Sequence, residues 1–275
     1  MNQIFTIGIW LIAVPLFAQI EVTAPAGSQM AFPGPDRGIQ VRLRNAGDKD
    51  IEAKLGMKLY QASSATATPL GPVRPWKRLT VKAGQTVLDE FKAELPSVRA
   101  RSRFILQCIN EEGVILGKLD VFVYPADLLK ELIDLTGAKG IGLFDPESRI
   151  TPVLKRLKIP NSEWAFADDR SDSTEALLIL GPFSEERPLT AKMKQSIDTM
   201  VRAGRRLVCL HQTDDAIFPW PGVVTIYDAE KGRLVTAPPG MVADLEQSIA
   251  SQLALIRLVK LAESTNRWAL ATAER

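Results

Sequence analysis

The chain has 275 residues, with 34 Lys and Arg against 32 Asp and Glu, a net charge of +2, two cysteines and one histidine. That length leaves room for two domains that each bury their own core. Acids and bases are mixed along the sequence with no basic stripe, which argues against a nucleic-acid partner.

In chain order, residues 4–18 carry no charge, and IFTIGIWLIAVPLFA ends on Ala18 before Gln19. This is the pattern of a secretory signal, and it is shorter than the roughly 20 apolar residues a membrane-spanning helix needs. It predicts an exported chain, periplasmic or extracellular, that touches the membrane only through this segment if it stays uncleaved.

From residue 20 to 124 the sequence predicts strands. Ile39, Val41 and Leu43 alternate with polar residues, as do Ala53, Leu55, Met57 and Leu59. The turn residues Asn45 to Asp48 between these two runs predict a hairpin. Further strands are expected around Leu79 to Val81, Val87 to Leu95, Arg103 to Ile109 and Val114 to Tyr124. Five to seven short strands in about 100 residues fit an immunoglobulin-like sandwich. The stretch VRLRNAGDKDIEAKL is similar to bacterial Ig-like modules, and that resemblance implies the same sandwich.

Pro125 marks the predicted boundary. Asp127 is placed to cap a helix through Leu128, Leu132 and Leu135 that ends at Gly137. Ile141 to Phe144 predicts a strand ending at Asp145, and Thr151-Pro152 predicts a helix start. A second strand is expected at Trp164 to Phe166. Leu177 to Leu180 and Leu207 to Leu210 read as strands buried on both faces, with a helix between them that ends at Gly204 and carries Met193, Ile197, Met200 and Val201 on one stripe. Val223 to Tyr227 and Arg233 to Thr236 predict a hairpin, and Leu245 to Leu261 a closing helix.

The stretch VRAGRRLVCLHQTDD together with KGRLVTAPPG resembles class I glutamine amidotransferase-like domains, a Rossmann-like group. The expected fold class is therefore an all-β immunoglobulin-like sandwich followed by an α/β three-layer Rossmann-like domain. The expected divisions are 1–18 signal peptide, 19–124 sandwich, 125–265 α/β domain and 266–275 tail.

The resemblance implies a fold and withholds the chemistry. Catalytic members of that family place a nucleophilic cysteine on a sharp elbow, with a histidine from a later strand as its base. Here Cys209 has no flanking glycines, and His211, the chain's single histidine, follows it on the same strand. That predicts a degenerate domain acting as a non-catalytic binding or assembly module, with an envelope protein, a glycan or a second copy as partner. In the alternative reading, a hydrolase or carbohydrate-modifying enzyme uses His211 with Asp214 or Asp215, and Cys209 with them.

For binding, the candidates at the strand ends are Asp145, His211 and Gln212. Against them stands the plainer reading of His211 as a hydrogen-bonded strand-end residue. Trp76, Trp164, Trp220, Tyr60 and Phe218 could stack on sugars or belong to packing. Gly137, Gly140 and Gly142 precede their strand, whereas a dinucleotide fingerprint needs glycines after it, so no cofactor is expected. One histidine and two separated thiols do not make a tetrahedral zinc set, so no metal is expected. Cys108 and Cys209 read as separate core residues without a disulfide.

Overall fold

The computed structural model describes residues 20–25, 27–166, 175, 177–211, 224–229 and 231–264. The expected signal segment and tail lie outside them. The chain divides into two compact units between Ala126 and Asp127.

Among the described residues the first unit is built of nine strands: β1 (Ile20–Thr23), β2 (Gln29–Ala31), β3 (Gly34–Asn45), β4 (Ile51–Ala62), β5 (Ala67–Pro69), β6 (Arg74–Val81), β7 (Thr86–Leu95), β8 (Ser102–Asn110) and β9 (Ile115–Val123). All nine belong to one mixed sheet with the path β5-β4-β8-β9-β1-β3-β7, while β2 pairs with β9 and β6 with β4. Alternate residues such as Val41, Leu43, Phe104, Leu106, Cys108 and Val121 point inward and form the core of the curled sheet.

This corrects the expected fold class, because a sandwich of two separate sheets followed by a Rossmann-like domain is not what forms. β1 joins what would have been two sheets, pairing antiparallel with β3 and parallel with β9. The parallel link is made at Val22 and Gly117. A Cβ on residue 117 would lie 2.1 Å from the Val22 carbonyl oxygen, so only glycine permits that approach.

The expected hairpin between β3 and β4 is absent as well. β3 pairs with β1 and β7, and β4 with β5, β6 and β8. The reason is Asn45, which is fully buried rather than at a turn tip. Its Nδ2 donates to the carbonyls of Lys49 (2.7 Å) and Val81 (3.0 Å), and its Oδ1 accepts from Gly47 N at 2.9 Å. Those bonds carry the chain across to β6 instead of folding β4 back on β3.

The second unit holds α1 (Glu131–Thr136), β10 (Ile141–Phe144), α2 (Thr151–Arg156), β11 (Asn161–Glu163), β12 (Leu177–Leu180), α3 (Ala191–Arg202), β13 (Arg206–Leu210), β14 (Thr225–Asp228), β15 (Arg233–Ala237) and α4 (Ile249–Glu263). Its sheet runs β11-β10-β12-β13-β15-β14 and is also mixed: five strands are parallel, and β14 lies antiparallel on the edge. Successive strand residues face opposite sides. Leu178, Leu180, Leu207, Cys209 and Leu234 pack with Ile197 and Val201 of α3. Ile179, Val208, Leu210 and Val235 pack with α1, α2 and α4. Each fully buried aliphatic side chain here contributes about 1.5–3 kcal/mol.

Helix ends follow local chemistry, with two departures from expectation. Thr190 caps α3 by accepting from Met193 N, and Gly204, at φ 100°, ends the chain's turn beyond it. Asp127 makes no cap and instead pairs with Lys130 at 3.0 Å. Thr151 does not cap α2 either, because Asp145 has taken that role. The strand expected at Trp164 lies earlier, as β11, and Trp164 is packed against Phe166 with ring centroids 4.7 Å apart.

Candidate functional site

In a sheet of this kind ligands collect beyond the carboxyl ends of the parallel strands, here β10, β12 and β13. Asp145 follows β10. Its Oδ1 accepts from Arg149 N at 3.0 Å, and its Oδ2 accepts from Ile150 N (2.8 Å) and Thr151 N (2.7 Å). Both oxygens therefore hold the turn into α2, and the negative charge sits at that helix's positive end. The candidate binding residue is a structural cap.

Cys209 is the penultimate residue of β13, opposite Leu180 of β12 and Thr236 of β15, in regular ladder pairing. It is 2% exposed, and burial pushes its thiol up to about 12, with the Lys194 charge pulling weakly the other way. A nucleophilic thiol needs the opposite environment, electropositive and open.

His211 continues the ladder, its backbone N donating to the Ala237 carbonyl at 3.0 Å. Its ring stands edge-on to Phe183, centroids 6.1 Å apart. Residues two apart on a strand share a face but are separated by roughly 6.6 Å along it. Cys209 and His211 thus follow one another along the same segment of chain rather than meeting from separate strands. Asp145 is two strands away from His211, about 9.6 Å at ordinary strand spacing. Gln212, Asp214 and Asp215 lie outside the described residues.

The loops beyond these strands are tied to each other by residues far apart in the chain. Ser184 Oγ donates to Glu147 Oε1 at 2.7 Å, across 37 positions of chain. No periodicity or spacing signals such a bond.

A second concave feature lies on the α3 side of the sheet. A cleft of about 560 Å³ runs between α3 and the β14–β15 hairpin, with Leu189, Lys194, Cys209, Tyr227, Leu234 and Thr236 among its walls. It exists because α3 covers β12 and β13 and stops short of the edge strand. Arg202 on its rim is ion-paired to Asp198 at 2.8 Å. The usable signal was Tyr227, an aromatic on the polar phase of an edge strand.

The aromatic candidates separate in the same way. Trp164 is core, and Trp76 is partly buried with its ring edge-on to Phe91 at 6.1 Å. Tyr60 is half-buried beneath Lys58, whose Nζ lies 5.3 Å from the ring centroid. Trp220 and Phe218 lie outside the described residues. Among the described residues no group of three or more His, Cys, Asp or Glu side chains is placed to hold a metal ion.

No family model matches the chain, and no curated protein matches it. Among solved structures it is similar to the Pseudomonas fluorescens alkylpurine DNA glycosylase AlkC bound to DNA containing an abasic site analog, at 12% identity and TM-score 0.30, over 38% of this chain and 30% of that one. It is similar to the β-glucosidase of Listeria innocua at 12% identity and TM-score 0.29, over 39% of this chain and 16% of the other. For the β-glucosidase of Kluyveromyces marxianus the values are 13% and 0.28, over 38% and 14%. The chain thus spans less than a third of the length of each of these three proteins, and likenesses at such TM-scores carry no argument about what it does.

Proposed function

We propose that the chain is a non-catalytic binding or assembly module of the cell envelope, engaging a protein or glycan partner. The observation that carries this reading is the state of Cys209: a thiol inside a regular, buried strand, pushed up to about 12, followed by a strand-end histidine whose ring stands edge-on to Phe183. The occupation of both Asp145 oxygens by backbone amides supports it further. The α3 cleft has a floor of apolar side chains, a neutral thiol and one threonine, a lining suited to holding a group rather than transforming it.

The test is turnover. Purified protein incubated with panels of amide, ester and glycoside substrates is expected to release no product above buffer. Turnover that disappears in His211→Ala would contradict the reading and restore the hydrolase alternative.

A further inference from the structure

The strand register of the first unit brings together side chains that the sequence scatters. On the outer face of β4, β8 and β9, three cross-strand rows lie side by side. One is Lys58, Gln107 and Lys118. The next is Tyr60, Ile105 and Asp120. The third is Ala62, Arg103 and Phe122, continued by Met30 of β2. Inward neighbours such as Phe104, Leu106, Leu119 and Val121 are buried, which fixes the rows as outward-facing.

Four cations meet one acid here. Arg101 adds its guanidinium over the Phe122 ring at 4.1 Å from the centroid, and Lys58 lies over Tyr60. Asp120 forms a two-pronged pair with Arg103, at 2.9 and 3.0 Å. Over the whole chain acids and bases nearly balance, so mixing along the sequence hid a segregation in space. The reading that no basic face exists fails on this surface.

Stacking does two things for Arg101. It holds a long side chain in one orientation, and it leaves the N–H edge of the guanidinium directed away from the ring plane contact. A planar fork held in this way matches a carboxylate. A shallow groove of about 460 Å³ runs past it, lined by Gln61, Ser63, Ser64, Arg101, Ser102 and Phe122.

The apolar members decide the class of partner. Met30 is 47% exposed, and Ile105 and Phe122 are half-buried in the same rows as the cations. Single-stranded nucleic acid would require open aromatic faces for its bases, and the cations occupy those of Tyr60 and Phe122. A uniformly polar acidic polysaccharide would leave Met30 and Ile105 without a counterpart. We infer that this face receives an acidic segment of a partner protein in which Asp or Glu alternate with apolar side chains. The inference rests on the binding-module reading and names its partner chemistry.

The test is fluorescence anisotropy on the full chain, using a short fluorescein-labelled peptide repeating Glu-Glu-Phe. Three competitors are polyglutamate, polygalacturonate and single-stranded DNA. The expected result is saturable binding of the peptide that weakens with salt, is poorly displaced by the three competitors, and falls about tenfold in Arg101→Glu and in Lys58→Glu. Circular dichroism and hydrogen exchange matching the parent chain would confirm that these surface variants fold.

Absence of binding, unchanged affinity in both variants, or displacement by polygalacturonate or DNA as effective as by the peptide itself would each overturn the inference. Those outcomes leave the binding-module reading standing, since only turnover dependent on His211 removes that.

Discussion

The two sheets use arginine and lysine in opposite ways. In the six-stranded sheet helices cover both faces, and cations are drawn to the strand and helix ends as clamps. Arg233, 11% exposed in its side chain, pairs with Asp228 and donates through Nη1 to the carbonyls of Leu261 (3.0 Å) and Ser264, closing the end of α4. Arg206 of β13 pairs with Glu263 at the end of α4. In the nine-stranded sheet one face encloses the core and the other meets solvent, and there Arg101 and Lys58 lie on aromatic rings with no structural carbonyl to satisfy. Arg233 and Arg206 serve the fold in one unit, while Arg101 and Lys58 remain available for recognition in the other. Burial of both faces, rather than composition, makes the difference.

The sharpest way to break this comparison is to remove one cation of each kind. Arg233→Ala strips the α4 carbonyls and leaves Asp228 without its partner. It is expected to lower the stability of the second unit by about 3 kcal/mol, because two part-buried carbonyls at the end of α4 lose a charged donor. Hydrogen exchange of the β13 and β15 amides as a function of denaturant measures it. Arg101→Ala, by contrast, is expected to stay within about 0.5 kcal/mol of the parent chain, because its partner is an exposed ring face.

Gly117→Val tests how the first sheet is held together. The new side chain meets the Val22 carbonyl, so β1 must leave β9, at a cost of about 2 kcal/mol. Exchange protection should be lost first in β1, with β3 and β7 still protected.

A smaller effect is expected at the Lys77–Asp89 pair, which links β6 to β7 by side chains. Burial favours the neutral acid, but the hydrogen-bonded Lys77 ammonium and the Glu90 backbone N–H together outweigh it and hold the Asp89 carboxyl below its ordinary 3.8. A folded value below the unfolded one means that the contribution is fully present above the ordinary carboxylate value and is lost as pH falls through the folded one. The stability gap between the parent chain and Asp89→Asn, followed by denaturant titration, should therefore be constant near neutrality and close below about pH 4.

Most elements were legible in the sequence because burial leaves a period. Leu177 to Leu180 and Leu207 to Leu210 form strands as their continuous apolarity requires, and the Ile197 and Val201 stripe of α3 packs on them. What failed was pairing. Asn45 reads as a turn residue by type, and its role as a buried tether to Val81 depends on a strand 36 positions away. Gly117 reads as an ordinary interruption until Val22 lies against it. Asp145 was legible as a polar strand end, while its use as the cap of α2 depends on how the turn from 146 to 151 folds back. The cationic face was invisible for the same reason, since Lys58, Arg101, Arg103 and Lys118 become neighbours only through strand register.

Whether Cys209 behaves as a core side chain or as a nucleophile is read directly by native-state alkylation. With iodoacetamide near pH 8, Cys209 is expected to react as slowly as Cys108, whose thiol burial also pushes up to about 12, each at a rate set by the opening of its own unit. Rapid modification of Cys209 in the folded protein, slowed by His211→Ala, would contradict the core role of this thiol.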